Sequence, residues 1–233
     1  MNNEVVTGKA SFTIEVPYKI IEKGRKGEEK PLIVYLHGYN QNIEYFEKKM
    51  RSMLTLEAYH LFIQAPYPIY DSSRKLKVSR WGRAWYLYDG EQQQFLKSLE
   101  KASGFIDNVI EDATQGFKSS RTCVLGYSMG GYLSGYYALS RPQNVDDLIV
   151  ISGRIKTEAF EGRREQASHL NVLAVHGSED ASVYPEPQKK CIELLHKEGF
   201  NTTFIMVDEG HKLVPVFVEE SKDWLLQKSY RKS

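Results

Sequence analysis

Residues 122–139 read T-C-V-L-G-Y-S-M-G-G-Y-L-S-G-Y-Y-A-L. T-C-V-L is a short apolar run of strand length and the stretch from Tyr132 to Leu139 is helical in texture. Gly126, Tyr127, Ser128, Met129 and Gly130 therefore form a G-x-S-x-G turn between a buried strand and a helix. The glycines leave room for a sharp bend that holds Ser128 in a strained backbone conformation, and they let strand and helix approach closely. Ser128 would then stand above a sheet at a helix N-terminus, where the helix dipole favours developing negative charge. The competing reading is a glycine-rich turn whose serine merely caps the helix.

Outward from that turn, the same strand-like texture recurs. Residues 32–36 (L-I-V-Y-L) are continuously apolar, as a strand covered on both faces must be. Further runs lie at 61–65, 148–151, 172–175 and 203–207. Amphipathic stretches alternate with them. The clearest spans 92–117, with Phe95, Leu99, Ala102, Ile106, Val109, Ala113 and Phe117 stepping by three and four. Others follow Pro187 (Cys191, Leu194, Leu195) and Pro215 (Phe217, Val218, Ser221, Trp224, Leu225). Buried strands alternating with such helices predict an α/β fold: a mostly parallel central sheet with helices on both faces. Residues 11–16 alternate, with Phe12, Ile14 and Val16 on one side, and predict a half-exposed edge strand. Residues 23–30 (K-G-R-K-G-E-E-K) predict a solvated hairpin loop.

The chain has 233 residues, 41% apolar and 26% charged, which suits a single globular domain over 1–233. Its 31 Lys+Arg against 30 Asp+Glu leave a net charge of +1, so no global field recommends nucleic acid or an anionic surface. Cys123 and Cys191 are far apart, without metal-ligand spacing, and read as small buried hydrophobes rather than a disulfide or a zinc site. The N-terminus M-N-N-E-V-V-T-G-K-A lacks a signal-peptide pattern, and no run is long enough to span a bilayer. A cytoplasmic location is expected.

A serine hydroxyl becomes a nucleophile only when a base takes its proton and an acid orients that base. After the strand at 172–175 comes H-G-S-E-D, placing Asp180 in a strand-end loop. After the strand at 203–207 comes D-E-G-H, placing His211 in the next. His60, His169 and His196 read as surface or packing residues. His37 and His176 each follow a strand and precede Gly, a position suited to bonding loop backbone. Glu179 and Asp208 are the rivals of Asp180: the first is adjacent and would point elsewhere, the second shares the loop of His211. Two backbone donors must also face a developing oxyanion. Met129, after the serine, supplies one. Tyr39 in H-G-Y-N is chosen for the other, because Gly38 permits a turn that aims its N–H inward, and Asn40 is the weaker choice.

L-H-G-Y, G-Y-S-M-G-G, H-G-S-E-D and G-H-K-L-V-P, in that order over 36–215, resemble the carboxylesterase, phospholipase and acyl-protein thioesterase branch of the α/β-hydrolase superfamily. The resemblance implies Ser128 as nucleophile, Asp180 as acid, His211 as base, and Tyr39 and Met129 as oxyanion donors. It implies a small-molecule ester or thioester as substrate, with no cofactor and no metal. A homodimer stays open, and neither nucleic acid nor a membrane span is expected. Two departures stand out: the step D-A-S-V-Y-P after Asp180 is longer than usual, and Met129 replaces a common Gln whose backbone alone is needed.

Residues 153–170 leave room only for a loop or one short helix, so no large cap domain is expected and the site should be open. The long irregular stretch 66–90 holds Tyr67, Tyr70, Trp81, Trp85, Tyr86 and Tyr88. Trp81, Trp85 and Tyr86 are candidates for a substrate wall, since aromatics with polar tips suit a cleft beside water. Equally, the two tryptophans could pin a long loop. Three functions compete: a small-ester hydrolase, a thioesterase on the same machinery, and a hydrolase fold kept as an idle binding module.

Overall fold

Seven strands pair into one sheet: β1 (Tyr18–Glu22), β2 (Lys30–Leu36), β3 (Tyr59–Ile63), β6 (Ser119–Tyr127), β7 (Asp147–Ile151), β8 (Asn171–Gly177) and β9 (Asn201–Val207). Their order across the sheet is β1-β3-β2-β6-β7-β8-β9. Every neighbouring pair is parallel except β1 with β3. A two-strand ribbon of β4 (Tyr67–Pro68) and β5 (Arg83–Ala84) stands apart. The structure is a computed structural model and describes residues 7–232, so the first six residues of the N-terminal stretch read above lie outside the described residues.

Strand residues alternate between two cores because successive Cβ atoms point to opposite faces. Leu32, Val34 and Leu36 of β2 and Leu148 and Val150 of β7 face one core, with residues from the helices α2 (Gln92–Ala113), α3 (Met129–Ser140) and α4 (Pro185–Lys197). Ile33 and Tyr35, with Ile149 and Ile151, face the other, covered by Phe46 of α1 (Ile43–Lys49) and by Phe217, Trp224 and Leu225 of α5 (Pro215–Gln227). A strand fully buried between two helical layers must be apolar on both sides, which is why 32–36 carries no alternation. Each such Leu, Ile or Val contributes roughly 1.5–3 kcal/mol on burial.

Three expectations need correction. Residues 11–16 form no strand and Phe12 is 86% exposed; the free edge of β3 is taken instead by β1, from Tyr18 opposite Ile63 to Glu22 opposite Tyr59. Residues 23–30 do not make a hairpin, because β3 lies between β1 and β2; Lys30 is the buried start of β2, its ammonium 2.7 Å from Glu22. The helix α2 stops at Ala113, where the Thr114 hydroxyl donates back to the Ile110 carbonyl at 2.8 Å. The apolar period runs on to Phe117 because that ring stacks on Tyr59, with centroids 3.7 Å apart.

No cap is inserted after β7. Residues 153–170 hold two single 3₁₀ turns, Thr157–Phe160 and Arg164–Ala167. Cys123 and Cys191 are both buried and unpaired, the second turning its thiol to the Ile155 carbonyl at 3.2 Å.

Candidate active site

Strand β6 enters helix α3 through Ser128, whose φ of 52° and ψ of −115° place a non-glycine residue in a sparsely populated region. The surroundings hold it there. A Cβ on Gly126 would lie 2.0 Å from the Gly130 carbonyl oxygen, and one on Gly130 would lie 2.1 Å from that of Leu36. Only glycines let the first turn of α3 press against β6 and β2. The Ser128 N–H donates to the Ile151 carbonyl at 2.8 Å, extending the ladder of β7 by one residue.

Three strand-end loops meet over this turn. Ser128 Oγ is 2.9 Å from His211 Nε2, and His211 Nδ1 is 2.7 Å from Asp180 Oδ2. Asp180 is 2% exposed, and its Oδ1 accepts the backbone N–H groups of Ser182 (2.9 Å) and Val183 (2.8 Å), so the carboxylate is held from both sides. The His211 side chain is 26% exposed, which opens the group to water and substrate. Behind it the Tyr127 hydroxyl donates to the His211 carbonyl at 2.6 Å, and burial pushes that phenol up to about 12. The rivals are elsewhere: Glu179 is exposed, and Asp208 accepts from the Ser178 hydroxyl at 3.2 Å.

His176 bonds loop backbone, as its place at a strand end suggests, and adds a closeness to Asp180 that sequence reasoning missed. Its Nε2 donates to the Val183 carbonyl at 2.7 Å and stands 3.5 Å from Asp180 Oδ2. Burial holds its pKa below the ordinary histidine range, while the Val183 carbonyl and Asp180 act in the opposite sense. The neutral ring therefore braces the Asp180 loop. The only signal was its position four residues before Asp180.

On the other side of Ser128 lies the loop after β2. Neither the Tyr39 nor the Met129 N–H has a protein acceptor among the described residues, whereas the Asn40 N–H is committed to the Arg83 carbonyl at 3.0 Å. The turn is not made by Gly38. The residue with positive φ is Asn40, at 57°, and Gly38 is required because a Cβ there would meet the Tyr127 ring at 2.8 Å. His37 anchors the loop from below. Its Nδ1–H donates to the Gly38 carbonyl at 2.8 Å, and Nε2 accepts from Ala65 N–H at 3.1 Å and from the Gln64 amide at 3.2 Å.

The three aromatic candidates for a wall part company. Trp85 has no exposed surface; its indole N–H donates to the His37 carbonyl at 2.7 Å, so it supports the loop rather than lining a cleft. Tyr86 is buried against Phe95, with centroids 5.0 Å apart. Trp81 is partly exposed, its N–H on the Leu76 carbonyl at 3.1 Å and its ring edge-to-face with Tyr70 at 5.1 Å. A groove of about 1010 Å³ lined by Lys23, Lys48, Arg51 and Pro215 contains none of the three relay side chains.

The profile of the phospholipase/carboxylesterase family matches residues 17–228. Lysophospholipase-like protein 1 of Mus musculus is 24% identical over 210 residues, covering 86% of this chain and 87% of that protein. Acyl-protein thioesterase 1 homolog 2 of Dictyostelium discoideum is 23% identical over 184 residues, covering 76% and 81%. The crystal structure of esterase PE8 superposes with a TM-score of 0.74 at 20% identity, covering 92% of this chain and 99% of that one.

Proposed function

Because the chain belongs to the phospholipase/carboxylesterase family of α/β-hydrolases, we propose that it cleaves a small carboxylic ester through an acyl-enzyme formed on Ser128. The observation that carries this reading is the continuous relay of 2.9 Å and 2.7 Å through Ser128, His211 and Asp180. His211 Nε2 takes the hydroxyl proton as Ser128 Oγ attacks the acyl carbon. Asp180 Oδ2 accepts from Nδ1–H and stabilises the imidazolium without itself being protonated. The tetrahedral oxyanion is received by the Tyr39 and Met129 N–H groups, which have no competing acceptor among the described residues. His211 then returns its proton to the leaving alkoxide, the C–O bond breaks and the alcohol departs. Water repeats the sequence on the acyl-serine and releases the acid.

Thioester cleavage uses the same atoms, and the likeness to the Dictyostelium thioesterase homolog favours it as the second reading. Ratios of kcat/KM for matched oxygen and sulfur esters separate the two. The main test is Ser128→Ala, which should lower turnover of an activated aryl ester by on the order of 10⁶. A fluorophosphonate should leave one adduct, on Ser128. An unchanged rate in the variant removes Ser128 from the mechanism, and binding of an ester without turnover by the unaltered chain would leave the idle-module reading in its place.

A further inference from the structure

Two residues beyond the end of β7 the chain reads G-R-I-K-T-E, from Gly153 to Glu158. Gly153 is packed so tightly on helix α3 that a Cβ there would lie 2.9 Å from Gly131 Cα, which puts residue 154 beside the helical turn that starts at Ser128. The Tyr132 phenol, one turn along from Ser128, is raised above its ordinary value by burial, with Arg154 drawing it down and Asp180 and Tyr88 pushing it up. Arg154 and the relay carboxylate thus act on the same side chain in opposite senses.

On this turn a single carboxylate serves two cations. Glu158 Oε1 bonds both Arg154 Nη2 at 2.9 Å and Lys156 Nζ at 2.6 Å. Lys156 is 6% exposed and is further tied to Gln92 Oε1 at 3.1 Å, so it is fully committed. Two cations share this one carboxylate, and with Lys156 also held by Gln92 the guanidinium is the less fully satisfied of the two. Arg154 is 34% exposed at its side chain, and its Nε is a buried donor with no partner. Glu158 holds only Nη2 of this planar fork, which leaves donors on a partly exposed side chain to match a carboxylate or a phosphate.

We infer that Arg154 is a specificity-determining residue and that the preferred substrate is an ester carrying an anionic group, carboxylate or phosphate, within reach of its guanidinium. This rests on the esterase reading of Ser128 and adds the substrate class to it. A half-buried cation on the turn that packs against the start of α3 would be a poor neighbour for a wholly aliphatic ester and a good one for an anion that brings its own acceptors.

The test uses two matched pairs. The acyl arm compares 4-nitrophenyl pentanoate with the mono-4-nitrophenyl ester of glutaric acid. The leaving-group arm compares the pentanoyl esters of 4-hydroxybenzoic acid and of its methyl ester. After division by each ester's hydroxide rate, kcat/KM should favour the anionic member of one arm by about 10- to 100-fold. That ratio should collapse towards unity in Arg154→Gln, survive in part in Arg154→Lys, and shrink with added salt. Fluorophosphonate labelling of Ser128 in each protein reports an intact nucleophile. A ratio near unity in both arms with Ser128 labelled, or a ratio retained by Arg154→Gln, overturns the assignment of Arg154 and leaves the esterase reading standing. Absence of both turnover and adduct in the unaltered chain overturns the two together.

Discussion

Acid should weaken this protein before its carboxylates titrate, and the largest share comes from two buried histidines. His37 and His60 are each pushed down to about 4 from 6.5, chiefly by burial. His37 is fixed as the Nδ1–H tautomer by the Gly38 carbonyl and by two N–H groups aimed at Nε2. His60 is fixed as the other, donating from Nε2 to Leu56 O at 3.1 Å and accepting the Tyr35 hydroxyl at Nδ1, 2.8 Å away. Neither ring has room for a second proton without losing a bond. With folded values below the unfolded 6.5, protons enter the unfolded chain first as pH falls. The stability each contributes is whole above 6.5 and drains as pH drops towards 4. Two-state linkage gives a loss of about 2 kcal/mol per histidine by about pH 5, or about 4 kcal/mol for the pair, a large part of a typical domain's stability. Urea titrations followed by tryptophan fluorescence between about pH 7.5 and about pH 5 measure it, in a window above the carboxylate range. The double variant Tyr35→Phe, His60→Leu removes one hydrogen-bonded pair and should reduce the loss across the window by the share of His60, about 2 kcal/mol. A free energy of unfolding constant across that window, or an NMR titration placing His37 near 6.5, would refute the reasoning.

Gly130→Ala must drive a methyl group to 2.1 Å from the Leu36 carbonyl oxygen, which is backbone and cannot rotate away. A cost of about 3 kcal/mol or more is expected, with ester turnover falling at least about 100-fold as α3 shifts off β2; thermal denaturation and kcat/KM check both, and full activity in that variant would contradict the close approach. Asp147 is fully buried at its side chain and accepts from Arg121 at 2.8 Å, Asn171 at 2.9 Å and Tyr230 at 2.8 Å. Asp147→Ala strands a cation and a phenol and should cost about 3 kcal/mol in urea unfolding at neutral pH; a loss under about 1 kcal/mol would show the network to be dispensable.

What could be read from the amino acids follows a physical line. Strands 32–36 and 148–151 were legible because burial on both faces leaves only apolar residues, and runs so short between helices cannot themselves be buried helices. The α/β architecture came from the same reading, and the family from the resemblance carried by the motifs between 36 and 215. The edge was not legible. Residues 11–16 alternate well but have no partner strand, whereas Tyr18–Glu22 looks less regular and wins because the outer ladder of β3 is free to receive it. Strand neighbours are long-range facts, so the interposition of β3 between β1 and β2 leaves no local trace. The same holds at the site. Ser128, Asp180 and His211 could be nominated from their strand-end positions, but the role of Gly38 depends on the Tyr127 ring above it, and that of Trp85 on a carbonyl at residue 37. A buried tryptophan and a wall tryptophan look alike in one dimension. His176 and Arg154 draw their interest from how their own turns fold back on Asp180 and Glu158, four residues on in each case, which spacing alone does not show.

The three relay side chains belong to loops after β6, β8 and β9, and 83 residues separate the first from the last. Each loop reaches its place only after the preceding crossover has closed, and β9 pairs along its whole length with β8 alone. Contacts of such wide separation form late, because loop closure must precede them. A nascent or partly assembled chain therefore carries an ordinary, unactivated serine. On the proposed mechanism, competence to attack an acyl group would arrive together with the native topology, and ester turnover would then serve as a clock for the final stage of folding.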